Sequence, residues 1–234
     1  FSRRMEGDSM RIVEAVKLKN FSKLSRSSYI GDNLSALSEI FKEKINISIW
    51  QRKLDSNIRK KAEDIINLNP DLQLSTVIYP KDIKNFLLSN VKSENSSLIY
   101  QDITKLADVF CNLFNSEKVS LRFGTLDHAM CPRFHVDMVQ CRLITTYHGV
   151  ATEWLQHSKV DRTKLGLGNK GRPDEESGIY QKSDDIEHLE EGHVALLKGE
   201  SWSGNEGDGL VNRSPKVESV NKKRLLLTID FSDK

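Results

Sequence analysis

Apolar residues along this chain follow two different rhythms, and the change falls near residue 118. Before it, alternating and helical spacings interleave. Ile45-Asn-Ile-Ser-Ile-Trp50 alternates as a strand does. Asp55 and Ser56 can cap a helix carrying Ile58, Ala62, Ile65 and Ile66 at helical spacing, which stops before Asn69-Pro70. Leu72 to Tyr79 reads as another strand, and Pro80 opens a short helix through Leu88. Over residues 96–117, Leu98, Ile103, Leu106, Ala107, Phe110 and Phe114 share one face and predict an amphipathic helix. After residue 118 the helical period vanishes. Val119 to Leu126, Arg133 to Asp137, Val139 to Tyr147, Thr152 to Leu155, His193 to Lys198, Leu210 to Arg213 and Arg224 to Phe231 are short strand-like runs between turn residues.

Helix and strand followed by strands alone predicts an α+β protein. The expected core is a double-stranded β-helix, a form of jelly roll, over residues 119–234. Residues 41–118 form an α/β segment packed against it, and 1–40 a loosely attached extension. The polar stretch 158–192, with Gly166, Gly168, Gly171, Pro173 and Asp174-Glu-Glu, is long for a loop and reads as a lid or an unstructured segment.

Charge narrows the function. The chain has 35 basic and 33 acidic residues, a net charge of +2, spread without a basic stripe. Nucleic-acid binding is therefore not expected. No apolar run reaches the length of a membrane span, and the first ten residues lack the apolar core of a secretory signal. Three cysteines, at 111, 131 and 141, form no CxxC pair. That usage fits a reducing cytoplasm and argues against a disulfide framework.

The chemistry concentrates in Cys131-Pro-Arg-Phe-His-Val-Asp137. Residues two apart on a strand share a face, so His135 and Asp137 project together, with Arg133 and Cys131 in the same row. An imidazole and a carboxylate side by side supply two of the three ligands of the 2-His-1-carboxylate arrangement that binds non-haem Fe(II). Arg224 opens an otherwise apolar strand. A buried lone cation is costly, and a guanidinium matches a carboxylate in two parallel hydrogen bonds. Arg224 is therefore a candidate to hold an acidic ligand, the plain alternative being a solvated strand end. Cys131, Arg133, Arg142, Trp154 and Trp202 are candidate pocket residues, with core packing the competing role for the cysteine and the tryptophans.

Several phrases resemble the bacterial family called domain of unknown function 1826. They are Ile45-Asn-Ile-Ser-Ile-Trp-Gln-Arg52, Met130-Cys-Pro-Arg-Phe-His-Val-Asp137, Thr146-Tyr147, Thr152-Glu-Trp-Leu155, Val194 to Glu200, Gly204-Asn-Glu-Gly207 and Arg224 to Asp230. The resemblance implies a link to metal homeostasis, with zinc as an alternative metal. Their order is also similar to that of iron- and 2-oxoglutarate-dependent dioxygenases. By that analogy His135 and Asp137 bind Fe(II), while Arg224 and Tyr147 hold 2-oxoglutarate. Where the resemblance implies a second histidine, this chain has Asn212. Three readings follow: Asn212 coordinates through its side-chain oxygen, or His148 or His193 takes the position, or the site has decayed. The expected function is an oxygenase of this type; the alternative is a non-catalytic metal- or ligand-binding jelly roll.

Overall fold

A computed structural model of the protein describes residues 25–93, 97–217 and 223–232. Two sheets form its frame. The larger contains β1 (Ser27–Gly31), β2 (Ile45–Trp50), β3 (Gln73–Ile78), β4 (Val119–Leu126), β6 (Cys141–His148), β9 (Val194–Lys198) and β11 (Arg224–Phe231). Its order is β1-β2-β9-β6-β11-β4-β3. Only the β1–β2 pair is parallel. The smaller sheet is antiparallel and contains β5 (His135–Val136), β7 (Glu153–Leu155), β8 (Ile186–His188) and β10 (Val211–Arg213), in the order β5-β10-β7-β8.

Three helices cover one face of the large sheet: α1 (Ser56–Leu68), α2 (Pro80–Asn90) and α3 (Ser97–Phe114). Asp55 caps α1 by accepting from the Asn57 amide at 2.8 Å, and Pro80 occupies the first turn of α2. α3 buries Ile99, Tyr100, Ile103, Leu106, Ala107, Phe110 and Cys111. Its buried stripe sits one position off the expected one at the N-terminal end, where Leu98 is exposed. The large sheet meets these helices with Leu121 and Phe123 of β4, Leu143 and Tyr147 of β6, and Leu225, Leu227 and Ile229 of β11. A large apolar side chain buried in this way stabilises the fold by about 1.5–3 kcal/mol. Most of the apolar burial thus lies on the helical face, which leaves the alternate positions of the same strands free to carry polar groups.

The opposite face of the large sheet packs on the small one through Ile47, Ile49, Ile144, Ala195 and Leu197 against Trp154 and Leu210. The expected boundary near 118 runs through a single sheet, because β2 pairs with β9 and β3 with β4. Nor are residues 27–31 loosely attached: β1 is hydrogen-bonded along β2, whose own residues are nearly all buried. The extension's first 24 residues lie outside the described ones. Stretch 158–192 folds into short 3-10 turns, the single helical turn α4 (Asp174–Ser177) and strand β8. Local turns give it structure, fastened by the Lys159–Asp185 and Arg213–Asp174 ion pairs and by Val160, Leu165, Ile179, Tyr180 and Ile186 packing with Phe134, Leu155 and Val211.

Candidate metal centre

The short strands β5 and β10 bring the three candidate ligands together. His135 and Asn212 are directly opposed Cα partners in the antiparallel ladder, and Asp137 follows β5 immediately. The Asn212 amide donates to Asp137 Oδ2 at 3.0 Å. His135 Nε2 stands 3.8 Å from Asp137 Oδ1, which is too far for a hydrogen bond and leaves a space shared by the two groups. His135 Nδ1 lies 2.9 Å from the Arg133 carbonyl oxygen. A carbonyl only accepts, so Nδ1 carries a proton, and whenever the ring is neutral its Nε2 lone pair is turned toward Asp137. Metal-binding histidines are commonly oriented by a backbone carbonyl in this way.

Electrostatics favour a charged pair. Burial acts to raise the Asp137 carboxyl, but His135, Arg142 and Asn212 outweigh it and hold the group at about 2. Asp137 in turn raises the His135 imidazole above its ordinary value, against the effect of burial. Arg142 on β6 forms a close ion pair with Asp137 and a two-bond fork with Asp230 on β11, at 2.8 and 2.9 Å.

His135, Asn212 and Arg142 border a cavity of about 310 Å³ between the sheets, whose walls also include Leu126, Cys131, Ile144, Leu226 and Thr228. Arg224 starts the row that Leu226 and Thr228 continue, and its Cα partner is Leu126, so its side chain sets out on the cavity face. The residue is 1% exposed, and none of its three guanidinium nitrogens has a hydrogen-bond partner among the described residues. Burial pulls its pKa down to about 10, with Glu153 offsetting part of the effect. Gly149 makes room for it. A Cβ there would stand 2.7 Å from the Lys223 carbonyl and 3.3 Å from Arg224 Cγ, and the backbone is left-handed at φ +88°.

Other expected site residues fall elsewhere. Tyr147 points to the helical face, since odd-numbered positions of β6 face away from Arg142 and Ile144. It is fully buried and donates to Asp102 at 2.6 Å. Trp202 packs beside Phe41 and Phe114, with Lys198 over its ring, in the same core. Trp154 is buried between the sheets without bordering the cavity. Arg133 turns toward Asp174, at 3.7 Å, rather than into the cavity. Cys131 is exposed at the cavity wall. The histidines weighed as a third ligand are remote: His148 faces Glu63 and Glu191, and His193 faces Glu190. Among the described residues no three His, Cys, Asp or Glu side chains gather as a metal-binding group. Asn212 alone stands in the third position.

Two supporting carboxylates escaped the sequence reading. Asp230 is 5% exposed in an otherwise apolar strand, the same signal that singled out Arg224. Asp174, in the polar stretch, accepts from the Phe134 amide at 2.8 Å and from Arg213 at 3.0 Å. It thereby fixes the residue before His135. No local pattern in the sequence marks that role.

Among solved structures, dioxygenase for auxin oxidation 1 from Arabidopsis thaliana, in a binary complex with 2-oxoglutarate, superposes with a TM-score of 0.50 at 9% identity, covering 89% of this chain and 93% of that one. A Pseudomonas putida prolyl-4-hydroxylase gives 0.44 at 10%, covering 86% and 98%. AviO1 from Streptomyces viridochromogenes gives 0.43 at 10%, covering 87% and 96%. At such identities the first of these speaks to fold alone, and the lower scores add nothing to it. No curated protein matches the chain. No helix of the described residues is long and apolar enough to cross a membrane. The model of one family covers residues 31–230, so the chain belongs to the family described as "Protein of unknown function (DUF1826)".

Proposed function

We propose that this protein is a jelly-roll oxygenase of the 2-oxoglutarate-dependent type, with Fe(II) held by His135, Asp137 and Asn212. The observation that carries the reading is Arg224. A cation buried with three unpartnered nitrogens is costly unless an anion completes it, and the fork geometry fits a carboxylate. The donor set also suits the metal: an imidazole lone pair and an ionised carboxylate face one space, and rotating the Asn212 amide presents its oxygen there. The fold similarity to a 2-oxoglutarate complex is consistent with this assignment.

Bound Fe(II) supplies the oxygen-activating redox chemistry. The chain's own residues do the rest. Arg224 binds the distal carboxylate of the co-substrate, and Gly149 leaves room for the stem of its side chain. The Arg133 carbonyl fixes the His135 tautomer, while Arg142 and Asn212 orient the Asp137 carboxylate. Leu126, Ile144 and Leu226 keep the cavity wall apolar and exclude water. Tyr147 takes no part.

Elemental analysis together with 2-oxoglutarate-dependent O₂ consumption tests the proposal. Stoichiometric iron with turnover, both lost in His135→Ala, is the expected result. Unchanged metal content in His135→Ala removes the site. Tight zinc without turnover replaces the enzyme by a metal-binding module.

A further inference from the structure

We infer that Arg142 is a built-in counter-cation of this centre, and that Asp230 governs how readily Asp137 accepts a divalent ion. The inference rests on the metal-site reading above and concerns residues that reading leaves as mere support.

Arg142 and Asp230 are Cα partners on adjacent strands, β6 and β11. Nε and Nη2 of the guanidinium donate to the two Asp230 oxygens at 2.8 and 2.9 Å, so the fork is fully engaged. Its remaining nitrogen, Nη1, reaches Asp137 Oδ1. That oxygen is the one 3.8 Å from His135 Nε2. The positive charge therefore sits on the ligand atom that a cation between His135 and Asp137 has to use. All three side chains are at most 17% exposed, so water screens them weakly.

Two opposed effects follow. The guanidinium holds Asp137 in place, but its charge repels a divalent cation. Asp230 neutralises that charge and draws the fork toward β11. Removing the Asp230 charge leaves Arg142 to Asp137 alone and should weaken metal binding. Removing the Arg142 charge frees Asp137 and should strengthen it. A rigid support would behave otherwise, since losing either half would loosen Asp137 and weaken binding in both cases.

Mn(II) titration of the full chain, followed by the electron paramagnetic resonance signal of free ion, separates these outcomes without reference to turnover. Asp230→Asn should bind about tenfold more weakly than wild type and Arg142→Met about tenfold more tightly, a factor that one modest charge interaction supplies. The double variant Arg142→Met/Asp230→Asn removes both charges with side chains of similar size. It should bind at least as tightly as wild type, and it stands in if Arg142→Met does not fold. Weaker binding in both the double variant and Asp230→Asn overturns the inference while leaving a His135-dependent metal site intact. No Mn(II) binding by either wild type or the double variant overturns the metal-site reading itself, and the inference with it.

Discussion

Half-buried Arg52, just past β2, and fully buried Arg224, at the start of β11, stand on opposite faces of the large sheet and in opposite states. On the helical face Arg52 donates to both oxygens of Asp102, at 2.6 and 2.8 Å, and to the Gly192 carbonyl, while Tyr147 adds a further bond to the same carboxylate. Every strong donor there has an acceptor. On the cavity face Arg224 has none among the described residues. A satisfied buried pair ties elements together, here β2's exit, α3 and β6. An unpartnered buried cation keeps the full desolvation cost of its donors. The contrast separates a fastening from the receptor proposed above, although both guanidiniums are largely withdrawn from water.

Substitution should give the two opposite signs. Arg52→Met strands Asp102 without its cation and should destabilise the fold by about 3–5 kcal/mol, read from the denaturant midpoint. Arg224→Met removes a cation with no partner and should leave stability unchanged or raise it by about 1–3 kcal/mol. The same substitution should abolish the thermal stabilisation that 2-oxoglutarate gives the wild type. Equal destabilisation by both would mean that Arg224 has a structural partner and is no receptor.

The comparison also shows what the sequence made legible. Period-two alternation located β2, β4, β6 and β11 to within a residue or two, because one face of each is thoroughly apolar. The same rule set His135 and Asp137 on one side of an expected strand from Arg133 to Asp137, of which only His135–Val136 forms, with Asp137 directly after it. It also contradicts the assignment of Tyr147 to the cavity, since Tyr147 and Arg142 differ by an odd number of positions. That role came from analogy and was lost to the pleat. β1 and β8 escaped notice: their residues are mostly exposed or half-buried, so nothing periodic marks them. Asp174 was invisible for a different reason, since its partners Phe134 and Arg213 lie about 40 residues away on either side.

Asp174 supplies a smaller effect of the same kind. Asp174→Asn keeps one acceptor for the Phe134 amide but leaves Arg213 with Glu153 as its close carboxylate. A loss of about 1–3 kcal/mol is expected, as for a hydrogen bond to a charged group. Hydrogen exchange should quicken at Phe134 and His135 and leave α3 unchanged. Faster exchange everywhere would show that the clasp supports the whole fold and not the ligand strand.

The smallest effect is the pH response of the site itself. The His135 imidazole is raised above 6.5 chiefly by Asp137. A group raised in the folded state stabilises while protonated, so its contribution is complete below about 6.5 and disappears as pH rises through the folded value. Asp137 works in the other direction. Held at about 2, it contributes fully above its ordinary 3.8 and loses that contribution as pH falls toward 2. Asp137→Asn should remove both, bringing His135 back toward its ordinary value in a titration followed by the imidazole proton resonances. Metal requires the neutral ring, so ion affinity in the wild type should weaken as the pH is lowered through the raised His135 value. Were His135 to titrate identically in Asp137→Asn, the two side chains would not share a space, and the row of β11 that Arg224 starts would have no metal centre beside it.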